Sequence, residues 1–318
     1  MAGEPPTLCG AAIAAKSKRS TLTREIRMMP TPALPPSVQL LTGPGGLALL
    51  RVSTVGGTGE VFLHGAHLVS WTPAGQSPVL WMSDTSRFAE NTPIRGGVPI
   101  CFPWFGLRAD HPDVPQHGFA RLLDWALIEV SDNGPATSIE FRLTDTKQTR
   151  GSAWPHRFEA NYTVTIGSEL QLELEVVNRD TVNISFEAAL HNYYAIGDAL
   201  VTLVHGLEGH EFFSSSASGR EEAPVQLGTA VDRRYPTVTT AWIEDSDNHR
   251  VITVTSEGSD GAVLWNPGPD KARAMEDFSD DGWPHMVCFE TANIGESRLT
   301  LAPGERHSMR ATVRVETR

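Results

Sequence analysis

From about residue 38 onward, short β-forming runs recur with turn clusters between them, and this pattern constrains the fold more than any other feature of the chain. Such runs fall at 47–52, 59–63, 68–71, 139–143, 162–166, 170–177 and 183–190, then at 237–243, 251–255, 261–264, 286–289 and 309–315. Leu170, Leu172, Leu174 and Val176 alternate with Gln171, Glu173 and Glu175, a period of two with one face buried and one wet. The 28 glycines and 22 prolines supply the many turns that such a chain needs. Strands repeating about every 8–12 residues predict an all-β antiparallel sandwich or barrel, in one large domain over 37–318. Only short helices are predicted, at 84–88 and 271–278.

Residues 1–36 read differently. Lys16, Lys18, Arg19, Arg24 and Arg27 outnumber Glu4 and Glu25, and a Pro-rich stretch follows. No apolar core of a secretory signal is present. The segment is expected to be a flexible or targeting extension.

Charge and cysteine usage narrow the function. Lys and Arg total 26 against 38 Asp and Glu, a net charge of −12, which repels nucleic-acid phosphate. A small anion needs only a few local arginines, because distant charges are screened over about 8 Å. Cys9, Cys101 and Cys288 are odd in number and widely spaced, which argues against a disulfide framework or zinc ribbon and for a reducing, cytoplasmic setting. No apolar run approaches the roughly 20 residues that span a bilayer, so no membrane partner is expected.

Several segments carry candidate chemistry. Arg95-Gly96-Gly97 sets a fixed charge beside two glycines, either an anion clamp or a tight turn with a surface arginine. Gln116, His117 and Arg121 lie within six residues among apolar neighbours; read as a strand, Gln116 and Gly118 share one face and His117 and Arg121 the other. His191 ends an apolar β-run before Tyr193 and Tyr194, so it is a candidate acid or base, or a core histidine bonded to a carbonyl. Glu290 ends the run Met286–Phe289, where an apolar setting would raise its pKa and strengthen it as a base. Asp232, beside Arg233 and Arg234, could accept hydrogen bonds from sugar hydroxyls or stand in a plain turn. His64 and His67 have metal-ligand spacing but lack further ligands nearby, and no Walker loop or dinucleotide fingerprint is present. Neither metal nor cofactor is expected.

Taken in order, these segments resemble the hexose-6-phosphate mutarotases of the aldose 1-epimerase family. The series runs Phe62-Leu-His-Gly-Ala66, Pro93-Ile-Arg-Gly-Gly-Val-Pro99, Cys101-Phe-Pro-Trp-Phe-Gly106 and Gln116-His-Gly-Phe-Ala-Arg121. Leu190-His191, Asp232-Arg233, Val263-Leu-Trp-Asn-Pro267, Lys271-Ala-Arg-Ala-Met275 and Met286-Val-Cys-Phe-Glu290 complete it. The resemblance covers about residues 45–310 and implies a galactose-mutarotase-like β-supersandwich with the sugar in an open cleft. It implies His191 as catalytic acid, Glu290 as catalytic base and Asp232 as a sugar-binding carboxylate. Arg95, Gln116, His117 and Arg121 take the polar positions around the substrate, with the arginines as phosphate partners. Arg234 departs from the apolar residue expected between Arg233 and Tyr235. The implied activity is interconversion of the anomers of a hexose 6-phosphate by a monomer without a cofactor. A mutarotase for free aldoses, a glycoside hydrolase using Asp232 as second carboxylate, and a carbohydrate-binding sandwich without turnover remain open.

Overall fold

The computed structural model describes residues 32–228 and 230–318; the expected N-terminal extension lies outside them up to residue 31. Alternation in the sequence becomes alternation in burial. Along Phe158–Ile166 every second residue is buried, and Leu170–Asn178 pairs with it in register, Tyr162 opposite Leu174. These strands belong to a nine-stranded antiparallel sheet that runs from Val225–Gln226 through Arg250–Glu257 and Arg306–Thr317 to Ala126–Asp132.

A second, eight-stranded sheet runs through Glu211–Phe213, Val231–Pro236, Gly261–Asn266, Met286–Asn293, Ala188–Leu190 and Ile100–Cys101. One apolar cluster joins the two large sheets, with Phe141, Phe158 and Tyr162 from the first and Leu190, Tyr235, Leu264 and Phe289 from the second. Each such side chain contributes about 1.5–3 kcal/mol by leaving water. A separate cluster of Trp81, Tyr193, Trp265, Phe278 and Cys288 covers the other face of the eight-stranded sheet. Met286–Asn293 is therefore buried along its whole length, and both of its faces carry packing side chains.

Four expectations about local structure are corrected. Residues 84–88 form no helix, because Ser83 draws the backbone into a turn: its Oγ accepts from Thr85 N and its carbonyl from Ser86 N. The helix expected at 271–278 is Gly268–Ala274 and ends where Met275 turns extended. The run at 183–190 divides at Glu187, with Ile184–Phe186 pairing Leu299–Leu301 and Ala188–Leu190 pairing Met286–Asn293. Asp232 lies in the strand Val231–Pro236, not in a turn.

Candidate active site

Strand register builds the site. Leu190 lies opposite Thr291 and Tyr193 opposite Cys288. The two stretches share one register, so His191 falls opposite Glu290 although no ladder pair is formed there. The side chains meet, His191 Nε2 lying 3.4 Å from Glu290 Oε1. The same parity sorts the neighbouring strands. Glu290 shares a cross-strand row with Val263 and Arg234, while Cys288 shares the next with Trp265 and Asp232. Alternation thus puts Asp232, Arg234, Trp265 and Glu290 on one face and turns Arg233 and Tyr235 to the other, where both donate to Glu221 Oε1.

His191 and Glu290 are only 6% and 1% exposed, so they form the floor of the site. The His191 ring stacks on Tyr193 with centroids 4.7 Å apart and meets Trp265 edge-on at 6.0 Å. His191 Nδ1 and Glu290 Oε2 have no hydrogen-bond partner among the described residues. Orphan polar atoms this deeply buried are costly in a native fold and mark a place built to receive polar groups. Burial holds the His191 imidazole well below its usual pKa, with His117, Arg121 and Arg95 adding to the effect. Burial raises the Glu290 carboxyl well above its usual value; Asp232 adds to this, while Arg234 and Arg121 oppose it. Both groups are pushed toward their neutral forms.

The segment around residues 116–121 departs from the strand read in the sequence. His117 and Gly118 both have positive φ, and a short 3-10 turn, Ala120–Leu122, follows. Gly118 is required there, since a Cβ would lie 2.0 Å from the Phe102 carbonyl oxygen. The turn directs His117 inward, with its ring centroid 5.6 Å from that of His191. Gly106 N donates to His117 Nδ1, which leaves the proton on Nε2. Burial and the nearby Arg121 and Arg95 charges hold this imidazole neutral, its pKa pulled down to about 2. Arg121 is buried, donates from Nη2 to the Gln116 carbonyl at 2.8 Å, and has no partner for Nε among the described residues. The Gln116 side chain is exposed.

Arg95 is committed to its neighbours. It grips both oxygens of Asp277, with Nε to Oδ2 at 3.2 Å and Nη2 to Oδ1 at 3.2 Å, and donates from Nη1 to Tyr193 Oη at 3.1 Å. Burial works against its charge, but Tyr193 and Asp277 more than offset this, so its pKa is raised. The glycines beside it serve packing. A Cβ on Gly97 would lie 2.2 Å from the Leu68 carbonyl, and Gly97 N donates to Trp81 O. The Gly97 amide is therefore already spent on the backbone.

Asp232 stands exposed at the rim, 3.9 Å from Lys271 Nζ, and Lys271 lies over the Trp265 ring. The sequence assigns no role to Lys271, Tyr193, Trp265 or Asp277, since the partnerships of Arg95 with Tyr193 and Asp277 and of Lys271 with Asp232 join residues far apart along the chain. Away from the site, His64 Nε2 binds the Thr92 carbonyl and His67 Nε2 the Gly96 carbonyl, so each spends a ring nitrogen on the backbone. No helix among the described residues is long and apolar enough to cross a membrane.

Comparison with known proteins identifies the family and the fold. The aldose 1-epimerase family model matches residues 50–314. A protein of Escherichia coli (strain K12) named "Putative glucose-6-phosphate 1-epimerase" is 34% identical over 80% of this chain and 86% of its own length. A protein of the same name from Cenchrus ciliaris is 32% identical over 77% of this chain and 78% of its own. The crystal structure of a "putative mutarotase" from Salmonella typhimurium is 31% identical, with TM-score 0.84 over 92% of this chain and 98% of that one. A galactose mutarotase-like protein from Clostridium acetobutylicum, at 13% identity and TM-score 0.69 over 88% and 98%, shares the fold.

Proposed function

The chain belongs to the aldose 1-epimerase family, and from that premise we propose that it interconverts the α and β anomers of a hexose 6-phosphate, glucose 6-phosphate foremost. The observation that carries this reading is the 3.4 Å approach of His191 Nε2 to Glu290 Oε1 on one buried floor. Ring opening removes a proton from the C1 hydroxyl and delivers one to the ring oxygen. Those two oxygens are bonded to the same carbon, so two catalysts placed side by side can reach both.

Glu290 takes the hydroxyl proton as His191 gives its own to the ring oxygen. The C1–O5 bond breaks, and its electron pair stays on the oxygen that is protonated. Rotation about C1–C2 presents the other face of the aldehyde, and reclosure returns both protons. The pair needs one proton in total throughout. A carboxylic acid beside a neutral imidazole is the state it holds while the sugar is open, and burial favours that state. Each positioned group is worth about 10²–10⁴ in rate.

Asp232, exposed at the rim, accepts from sugar hydroxyls, and Gln116, His117, Arg121 and Arg95 orient the ring. Both proposed catalytic side chains come from one chain, in keeping with a monomer acting on a freely diffusing cytoplasmic sugar phosphate. A second reading, an epimerase of unphosphorylated aldoses, is favoured by one observation: Asp277 already balances the charge of Arg95. Anomer exchange followed by NMR with glucose, galactose and their 6-phosphates tests both readings. The phosphate reading requires faster exchange of glucose 6-phosphate than of either free sugar, and Glu290→Gln should abolish it. Equal rates on glucose and its phosphate would favour the second reading. Wild-type turnover in Glu290→Gln would defeat the catalytic assignment.

A further inference from the structure

We propose that Arg234 reads the anionic group of the substrate, its guanidinium taking the phosphate of a sugar phosphate seated over the His191–Glu290 floor. The inference rests on the sugar-phosphate reading above and adds to it the residue that selects for the charge.

Position comes first. Arg234 shares the cross-strand row of Val263 and Glu290, on the face that carries the catalytic pair. It is exposed and borders two cavities, neither of them lined by His191 or Glu290, so its link to the pair is the shared sheet face. The smaller, about 200 Å³, lies toward Phe213 and Ala292. The larger, about 760 Å³, is bordered by Phe105, Arg108, Glu187 and Arg298. Its charge reaches the reacting groups, for it acts on both Glu290 and His117.

Charge balance singles Arg234 out. Arg95 is held by Asp277, and Lys271 faces Asp232. Arg108 pairs with Asp110. Arg298 lies 3.5 Å from Glu187, whose oxygens also accept from Phe105 N and Gly295 N. Arg121 is buried against the Gln116 carbonyl. Arg234 has no carboxylate partner among the described residues; its Cζ lies over the face of Phe105, 5.9 Å from the ring centroid. Around the larger cavity three guanidiniums, Arg108, Arg234 and Arg298, thus meet two carboxylates, Asp110 and Glu187. The smaller cavity adds the carboxylate of Glu296, but no carboxylate among the described residues pairs with Arg234, so an anion there replaces no existing ion pair. The planar fork of arginine binds two phosphate oxygens at once, and the Phe105 ring limits how it can turn.

The test compares wild type, Arg234→Leu and Arg234→Lys on glucose 6-phosphate and on glucose. The ratio of kcat/KM for the phosphate to that for free glucose should fall at least about tenfold in Arg234→Leu. Arg234→Lys keeps the charge without the fork and should fall between. A ratio unchanged within twofold in Arg234→Leu overturns the assignment, while rapid exchange of glucose 6-phosphate in that variant leaves the anomerase reading standing. If the wild type exchanges neither sugar, the functional reading fails by itself. Calorimetric binding of glucose 6-phosphate then decides: a tenfold loss of affinity in Arg234→Leu supports the role, and equal affinities overturn it.

Discussion

Replacing Glu290 by glutamine keeps the size and shape of the side chain and removes one titratable proton from the interior. In the folded protein burial, with Asp232 facing it, holds this carboxyl well above its ordinary 4.5. Unfolding returns it to water, where it ionises near that value. Above pH 4.5 the folded state therefore binds one proton more than the unfolded state. Stability falls as pH rises, by about 1.4 kcal/mol per pH unit, until the native carboxyl ionises too. His191 acts with the opposite sign. Burial, then His117, keeps its imidazole neutral, so unfolding takes up a proton below pH 6.5 and stability falls as pH falls. Between 4.5 and 6.5 the two slopes cancel in the wild type, and above 6.5 only that of Glu290 remains. The Gln variant retains only the histidine slope. Its stability relative to wild type should rise by about 1.4 kcal/mol per pH unit above 4.5 for as long as the native carboxyl stays protonated. Urea unfolding of both proteins at pH 5, 6 and 7 measures the difference directly. Parallel pH dependences would refute the reasoning, since they would mean that the carboxyl ionises in the fold as readily as in water.

Catalysis and loop geometry give two more predictions. The pair works with one proton, so kcat/KM for anomer exchange should hold to below pH 6.5 on the acid side, because burial lowers the pKa at which His191 takes up the second proton; half-loss at or above pH 6.5 would contradict this. Gly118→Ala places a Cβ 2.0 Å from Phe102 O at a positive φ and should cost at least about 1–2 kcal/mol, read as a lowered urea midpoint, together with a loss of exchange as His117 shifts; an unchanged midpoint would show that the turn tolerates a side chain.

What the sequence discloses follows from what is local. Alternation at 170–176 reports a half-buried strand because burial repeats with the backbone's own period. His191 and Glu290 stand out in the sequence as polar groups after apolar runs; the fold places His191 just past Ala188–Leu190 but Glu290 within the buried strand Met286–Asn293. The grip of Arg95 on Asp277 is invisible in the sequence, because it joins the loop before strand Ile100–Cys101 to the segment after helix Gly268–Ala274. Without that partner Arg95 looks free for phosphate, and with it the charge is already balanced. The stretch 116–121 misleads for a different reason. Positive φ at His117 is held by Gly106 on one side and Phe102 on the other, contacts that a strand pattern cannot anticipate. Arg234 is placed by register, and its lack of a carboxylate partner is a property of the surrounding packing.

The strand that bears Glu290 is enclosed on both sides for its full length, whereas Asp232, Gln116, Lys271 and Arg234 project from its surroundings into solvent. The proposed proton chemistry is thereby set on a fully buried strand, and the proposed sugar contacts at the rim on side chains that face solvent. Such a division lets preference drift from one aldose to another through edge substitutions that leave folding untouched, while the reaction itself is inherited unchanged.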